Sequence, residues 1–480
     1  MKKSKMLFIA LAWLTAGLAH GAAQPAPTAT KQERSCHLPG ATEALRCVSL
    51  TVPLDYARPA AGSLKLHVAV APAFRQGTRN DPLFVLAGGP GQAGSDVLML
   101  LPAALDKVRA TRDIVFIDQR GTGLSGKLSC ESKPEHELMG EEQLEEELRA
   151  CIRASKAPFA AYTTAAAARD LEQVRGALGY GKVNVWGGSY GTRLAQAYAR
   201  AYPASVRTLV LDGVAAPEQV IPAGGRDGQA ALDGLFAQCA RDAACNKAFP
   251  QLRAEFDALV TKLEGGGIRL SLPDPRTAQQ VDFSLTLPRF LGTVHNILYS
   301  PADARRLPFL IHSASRGRWQ PFIARQNLAG DFGGDASMAM LLHFAVVCAE
   351  DVPRMTPELL KSDDAVLTRP LAEKIPALCK TVNVPPVPFA APSRIEAPAL
   401  LLSGALDPVT PPHRAASAAR HMARAQQVVV ANAGHGVSQL GCAPRLLREF
   451  LDRPEQKLDS ACLNDIPAPT FQLGAAGPQP

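Results

Sequence analysis

The 480-residue chain is long enough to bury a full-sized hydrophobic core, as one large domain with an insertion or as two domains. Its 47% of hydrophobic residues is ordinary for a globular protein and argues against disorder. Lys and Arg (51) outnumber Asp and Glu (44), which gives a net charge of +7, but no basic cluster lies beyond the N-terminus. This balance argues against a nucleic-acid partner, because such proteins carry a clustered basic face.

The first 21 residues have the form of a secretory signal peptide. Three lysines precede an apolar stretch over residues 6–18, and Ala19 and Gly21 form a small-x-small cleavage site. The apolar stretch is shorter than the roughly 20 residues that a transmembrane helix needs. The sequence therefore predicts an exported protein, periplasmic or extracellular, without stable membrane insertion.

Ten cysteines agree with export, because disulfides form in oxidising compartments. A zinc site is the alternative, but the sequence contains no CxxC pair and no HExxH motif, so we expect no metal and no cofactor. The even number of cysteines and their grouping into neighbours predict five local bridges: Cys36–Cys47, Cys130–Cys151, Cys239–Cys245, Cys348–Cys379 and Cys442–Cys462.

Strands and helices alternate along the first part of the chain. Residues 82–91 predict a buried strand that runs into a glycine loop, and residues 113–123 repeat this form. Residues 165–180 have helical spacing of apolar residues, and Gly181 is a stop signal. A strand over residues 182–187 follows.

The same alternation continues and then resumes near the C-terminus. A helix halted by Pro203 precedes a strand over residues 206–214, and residues 399–408 and 426–436 again predict strands that end in turns. Continuous apolar strands separated by helices indicate an α/β fold with a mostly parallel sheet and helices on both faces.

Between the two parts the alternation breaks. We expect a core over residues 22–214 and 392–480, with residues 215–391 inserted as a helical cap over the strand ends, where open parallel sheets bind ligands. An independent second domain is the alternative, but the sheet pattern resumes after the insertion.

Ser189 lies in a Gly-x-Ser-x-Gly pattern, Gly187 to Gly191, between a predicted strand and a predicted helix. In that setting the turn lifts the hydroxyl above the sheet and points the next backbone N–H at a reacting carbonyl. A tight turn without catalytic function is the alternative. We predict that Ser189 is a nucleophile.

A serine needs a base and a group that orients the base. Asp407 follows the strand at residues 399–404, and His435 follows the next strand, between two glycines. Asp407 before a proline is also a common turn residue. Together with Ser189, however, the order and loop positions predict a Ser189–His435–Asp407 triad.

Acyl transfer also needs donors for the oxyanion. Glycines over residues 88–95 allow backbone N–H groups to approach a substrate. We assign the oxyanion hole to the N–H of Tyr190 and to an N–H near Gly91 or Gln92. A phosphate loop is the alternative, but no GK[ST] follows.

Several segments together resemble a known family: AGGPGQAGS, DQRGTGLS, GGSYGTRLAQAYARAYP, CAED and LLLSGALDPVTP with GHG. They are similar to the secreted alpha/beta-hydrolase peptidases of the tripeptidyl-aminopeptidase type, relatives of proline iminopeptidases. The resemblance covers nearly all of the mature chain and implies an alpha/beta-hydrolase core, a helical cap and serine exopeptidase activity at peptide N-termini. Proline iminopeptidases usually begin the glycine motif with histidine, and Ala87 at that position argues against strict proline release.

An aminopeptidase must also bind the substrate ammonium. The related peptidases carry an acidic residue just after the cysteine that corresponds to Cys348, and the resemblance maps it onto Glu350 or Asp351. A solvated helix end, with an ion pair to Arg354, is the alternative.

The expected partner is a peptide with a free N-terminus, and the oligomeric state stays open. A carboxylesterase with the same triad is the alternative function, because a fold does not determine a substrate. A non-catalytic binding protein of the same fold is a further one, although such proteins usually lose a triad member and this chain keeps all three.

Overall fold

The computed structural model describes residues 31–477 except residues 76, 78, 132, 134, 135, 137, 138, 274–276 and 326–337. The signal peptide predicted over residues 1–21 lies outside the described residues. Within the described ranges, no helix is both long enough and apolar enough to cross a bilayer.

A nine-stranded sheet forms the centre of the molecule, in the order β1-β2-β3-β5-β4-β6-β7-β10-β11. The first three strands and the β3–β5 pair are antiparallel, and every pair from β5–β4 onwards is parallel. The strands are β1 (Lys31–Cys36), β2 (Leu45–Pro53), β3 (Ser63–Ala71), β4 (Leu83–Leu86), β5 (Ile114–Ile117), β6 (Val183–Gly188), β7 (Val206–Asp212), β8 (Ile268–Pro273), β9 (Gln280–Leu285), β10 (Ala399–Gly404) and β11 (Ala425–Val430).

Both faces of the parallel strands are buried, which explains their continuous apolar sequences. Along β4, Phe84 and Leu86 pack into the core on one face, and Leu83 and Val85 pack into the core on the other. This alternation follows from the two-residue side-chain repeat of a strand. The predicted mostly parallel α/β sheet is confirmed.

Helices cover the two faces and fill the insertion. The helix predicted over residues 165–180 begins at Thr164. The side chain of Thr163 caps it by accepting a hydrogen bond from Ala166 N. The helices are α1 (Asp106–Arg109), α2 (Glu141–Ala154), α3 (Thr164–Ala177), α4 (Tyr190–Ala201), α5 (Gly225–Arg241), α6 (Ala243–Ala248), α7 (Leu252–Glu264), α8 (Leu287–Ile297), α9 (Pro301–Ala304), α10 (Leu307–Ser315), α11 (Met340–Glu350), α12 (Pro357–Asp363), α13 (Arg369–Val382), α14 (Pro412–Ala419) and α15 (Ala443–Asp452).

Between β7 and β10, the elements that the described residues form are helices and one antiparallel hairpin, β8–β9. It has its own hydrophobic cluster, which includes Phe256, Phe290 and Phe322. The sheet continues across this segment, because β7 pairs directly with β10. The hairpin was not part of the sequence prediction.

All ten cysteines are paired, in the five predicted combinations. The bridge that closes the shortest loop, Cys239–Cys245, joins positions 6 residues apart. Cys348–Cys379 joins positions 31 residues apart and ties α11 to α13.

These loop lengths predict different contributions to stability. In the chain-entropy model, replacing Cys348 and Cys379 with Ser should cost about 1.5 kcal/mol more unfolding free energy than replacing Cys239 and Cys245. Denaturant unfolding of the two double variants measures the difference, and peptide mapping without reduction checks the pairing. An equal loss from both variants would contradict the entropic account.

Candidate active site

Ser189 sits in a sharp turn between β6 and α4, with a positive φ of 54° and a ψ of −125°. Residues other than glycine rarely adopt this backbone conformation, because their Cβ crowds the neighbouring backbone. The flanking glycines show why the turn is nonetheless possible. A Cβ on Gly187 would lie 2.4 Å from Gly191 O, and one on Gly191 would lie 2.2 Å from Leu86 O. Only glycine allows the helix to begin this close to β4 and β6.

His435 and Asp407 form a direct contact above the neighbouring strands. His435 Nδ1 lies 2.8 Å from Asp407 Oδ2, so the ring donates through Nδ1 and leaves Nε2 as the acceptor. The other oxygen of Asp407 accepts hydrogen bonds from Val409 N at 2.8 Å and Thr410 N at 2.9 Å. Thr410 Oγ1 donates to Asp407 Oδ2 at 2.7 Å. The carboxylate is therefore held in one orientation.

The pKa values of the two groups move in opposite directions. Burial raises the pKa of Asp407, but the charge and hydrogen bond of His435 outweigh it, so this pKa is lowered. Burial lowers the pKa of His435, but the charge and hydrogen bond of Asp407 outweigh it, so this pKa is raised. The pair can thus stabilise an imidazolium that forms when the ring takes a proton.

Two further groups hold the His435 loop, and sequence reasoning missed both. The Asp212 carboxylate, at the end of β7, accepts hydrogen bonds from Val437 N and Ser438 N, both at 2.8 Å. Tyr299, in the insertion, accepts His435 N on its carbonyl at 2.9 Å and packs its ring against the imidazole. The LDGV segment contains Asp212, but no local pattern in it indicates this role.

Ser189 and His435 line the same cavity, which has a volume of about 300 Å³. Its wall combines the apolar side chains of Val97, Leu100 and Trp186 with polar groups of the glycine loop and the His435 loop. The cavity is large enough for a small ligand with an apolar side chain.

The glycine loop predicted to help form the oxyanion hole lies against the serine. A Cβ on Gly88 would be 2.9 Å from Ser189 Cβ, and Gln92 lines the cavity. Gln92 N donates to Gly88 O at 3.3 Å, and Gly88 N donates to the Gln92 side chain at 3.2 Å. Tyr190 is the first residue of α4, where backbone N–H groups have no acceptor within the helix.

Helix α11 and Ala339, the residue that precedes it, hydrogen-bond to this loop. Ala339 N donates to Gly91 O at 2.9 Å, and the Nδ1–H of His343 donates to Pro90 O at 3.1 Å. Gly91 is buried, and a Cβ there would lie 2.9 Å from Met338 Sδ. The position of the glycine loop, which the sequence predicts to help form the oxyanion hole, is therefore set by contacts from both the core and the insertion.

Glu350 and Asp351, which the sequence predicts as the anchor for the substrate ammonium, lie outside the lining of the Ser189 cavity. Asp351 is fully buried and forms ion pairs with Arg193 at 3.0 Å and Arg354 at 2.8 Å. Glu350 accepts hydrogen bonds from Thr164 N at 2.7 Å and Thr164 Oγ1 at 2.6 Å. Among the described residues, the lining of the Ser189 cavity includes neither carboxylate. The pairing with Arg354 that the sequence offered as an alternative is present.

Comparison with known proteins agrees with this architecture. Residues 81–258 match the family model described as alpha/beta hydrolase fold, and residues 366–462 match the model described as TAP-like protein. The chain has the alpha/beta hydrolase fold. The predicted fold class and the resemblance to tripeptidyl-aminopeptidase-type hydrolases are confirmed.

The relatives of this chain include proteins named as peptidases and one named as an esterase. It is 31% identical over 284 residues to serine protease Hip1 of Mycobacterium tuberculosis, covering 53% of each chain. It is 32% identical over 200 residues to tripeptidyl aminopeptidase of Streptomyces lividans, covering 36% of each. It is 30% identical over 299 residues to carboxylesterase B of Mycobacterium tuberculosis, covering 57% of this chain and 55% of that protein. The chain thus spans about half the length, or less, of the curated relatives it matches.

The ion pairs of Asp351 generate a prediction about stability. Asp351→Asn should lower the free energy of unfolding by about 3 kcal/mol, because it leaves the buried Arg193 guanidinium without a counter-charge. Denaturant unfolding measures this, with the exposed Asp257→Asn as a matched control.

The folded fraction of the same variant also tests the ammonium anchor. At a temperature well below its melting point, hydrolysis of a peptide with a free N-terminus and of a neutral ester should fall equally, if at all. A loss confined to the free-amino peptide would contradict the structural role and restore Asp351 as the anchor.

Proposed function

We propose that this protein is an exported serine exopeptidase that releases short peptides or single residues from free N-termini through an acyl-enzyme intermediate. The observation that carries the proposal is the His435 Nδ1–Asp407 contact beside a cavity shared by Ser189 and His435. Relatives named serine protease and tripeptidyl aminopeptidase support a peptide substrate. Five disulfides agree with an oxidising compartment.

In the proposed mechanism, His435 Nε2 takes the proton of the Ser189 hydroxyl as its oxygen attacks the scissile carbonyl. Asp407 keeps the other ring nitrogen protonated and stabilises the imidazolium. The imidazolium then gives its proton to the leaving amine, and an acyl group stays on Ser189. Water, activated in turn by His435, hydrolyses the acyl-enzyme and releases the N-terminal product.

Charge that develops on the carbonyl oxygen needs fixed donors. We assign Tyr190 N, at the positive end of the α4 dipole, as one donor. The second is an N–H of the glycine loop near Gly91 or Gln92, and Gly91 N is the better candidate because Gln92 N already donates to Gly88 O. The contacts of α11 with Pro90 and Gly91 support this assignment, since they hold the loop beneath the insertion.

A carboxylesterase is the second candidate function. It needs the same triad and oxyanion donors but no anchor for an ammonium group, and the described lining of the Ser189 cavity contains only one carboxylate, Asp212. Asp212 is already bonded to Val437 N and Ser438 N. The relative named carboxylesterase B points the same way. A panel of N-terminally free peptides, the same peptides acetylated, and simple esters separates the two functions.

The mechanism predicts that Ser189→Ala and His435→Ala each lose at least about 10³-fold in kcat while the protein stays folded. The double variant should be little worse than either single variant, because nucleophile and base act as one unit. Steady-state kinetics measures kcat, with circular dichroism as the check on folding. Near-normal turnover by Ser189→Ala would overturn the acyl-enzyme mechanism.

The raised pKa of His435 predicts the pH profile. Only the neutral ring acts as base, so activity should fall as the pH drops through the raised pKa, and the acidic midpoint of kcat/KM should lie above 6.5. In Asp407→Asn, the loss of the negative charge should move the pKa of the ring to a lower pH, which an NMR titration of His435 can follow. A midpoint below 6.5 in the unaltered protein would contradict this account.

A further inference from the structure

A second, larger cavity lies outside the Ser189 site and has a volume of about 640 Å³. Its floor is formed by α3 and α4, and residues 387–393, which we call the strap, lie across one side. None of its lining residues is shared with the Ser189 cavity among the residues described. The proposed function assigns no role to this cavity.

Four arginines line it: Arg169, Arg193, Arg200 and Arg354. Arg354 uses its guanidinium on Asp351 and on the carbonyls of Glu350, Glu218 and Gln219. Arg169 is exposed, and its guanidinium lies over the Tyr56 ring, 5.4 Å from the centroid. These two are therefore engaged with the protein in different ways.

The other two arginines carry buried donors without an acceptor. Arg193 is only 8% exposed, and its terminal nitrogens bind Asp351 and Gln219 O, but its Nε has no acceptor among the described residues. Arg200 donates through Nε to Ser393 O of the strap at 2.9 Å, and its Nη2 is likewise buried without an acceptor there. A buried donor that stays unpaired costs free energy. Both arginines line the cavity, so a shift of their side chains that brings these donors to an anion there would remove that cost.

Acidic groups around the cavity do not neutralise it. Glu350 is the carboxylate on its wall, and it is engaged with Thr164. Asp351 lies behind Arg193 and Arg354, and Glu218 binds Ser417 Oγ. Four arginines thus face three carboxylates, each of which already has hydrogen-bond donors from the protein.

Much of the rest of the wall is apolar. The strap contributes Val387, Pro388 and Phe389, and α4 contributes Ala197. Arg354 stacks on Phe389, with its guanidinium 4.6 Å from the ring centroid, which orients the ring. The Phe389 side chain is still 48% exposed, so apolar surface is available to a ligand.

We propose that this cavity binds a carboxylate carried by an apolar body, with the carboxylate against Arg200 and Arg193 and the apolar body against the strap. Arginine suits this role because its planar donors match a carboxylate, and the partly buried setting strengthens the contact. An N-acylated amino acid and the C-terminus of a short peptide share this chemistry. Binding at this cavity does not require the proposed hydrolytic activity.

Calorimetric titration with N-acetyl-L-leucine tests the proposal, with N-acetyl-L-leucinamide as the uncharged counterpart. We expect the acid to bind and the amide to bind at least about tenfold more weakly, since a lost hydrogen bond to a charged group has that effect. Equal binding of the two probes, or no binding of either, would overturn the proposal.

Two variants locate the binding. Arg200→Gln and Arg169→Gln should each weaken binding of the acid, by about tenfold for Arg200, and the exposed Arg453→Gln should leave it unchanged. Arg169→Gln leaves the hydrogen bond from Arg200 to Ser393 O of the strap intact. It therefore separates the effect of a lost positive charge from the effect of a displaced strap. Unchanged affinity in both variants would overturn the assignment.

Kinetics separates this cavity from the substrate site. Arg200→Gln should leave kcat and KM for a neutral ester or peptide within about twofold, because Arg200 lies outside the Ser189 cavity. A rise in KM as large as the loss of acid binding would overturn a separate site. The titration itself needs no turnover, so it stands or falls independently of the proposed peptidase activity.

Discussion

The turn at Ser189 depends on how closely three pieces of backbone can approach one another. Leu86 O at the end of β4 would lie 2.2 Å from a Cβ on Gly191, and Gly191 O would lie 2.4 Å from a Cβ on Gly187. This contact fixes where α4 begins, and with it the Ser189 hydroxyl and the N–H of Tyr190. The positive φ of Ser189 is the local cost of that approach. The turn thus sets the point above the sheet that the His435 loop and the glycine loop both face.

The sequence predicted the six strands that pair in parallel and all three residues of the proposed triad, but not β1–β3, for a simple reason. Parallel strands buried on both faces are apolar throughout, and the loops after β6, β10 and β11 carry Ser189, Asp407 and His435 one after another. Local patterns of this kind need no knowledge of distant contacts. The β8–β9 hairpin left a weaker signal, since Ile268, Leu270 and Leu272 alternate with exposed residues. That alternation was overlooked in a segment dominated by helical patterns.

Contacts across long stretches of sequence were beyond such reasoning. Asp351 meets Arg193 from 158 positions away, and its carboxylate is fully buried by that contact. Nothing near CAED indicates an arginine on α4, so the pair looked free to bind an ammonium group. Asp212 and Tyr299 were missed for the same reason, because they support the His435 loop from β7 and from the insertion.

Helix α4 joins the two cavities physically. Its first turn supplies Tyr190, whose hydroxyl lies 2.8 Å from Thr164 Oγ1. Thr164 in turn donates to Glu350, which lies on the wall of the cavity lined by the four arginines. Arg193 and Arg200 follow along the same helix. Tyr190, the proposed oxyanion donor, and the cavity lined by the four arginines therefore share one helix.

The insertion departs after β7 and returns before β10, two strands that pair directly with each other. The backbone of Ser189 donates to Asp212 O at the end of β7, and Gly213 N donates to Leu402 O on β10. The elements that carry Ser189 and Asp407 are thus joined by the sheet itself, and the long insertion between them in sequence does not have to align them. What the insertion does contribute is the grip of α11 on the glycine loop and the Tyr299 contact to His435. Changes inside the insertion can consequently alter the cavities while the sheet keeps the proposed nucleophile and acid in place.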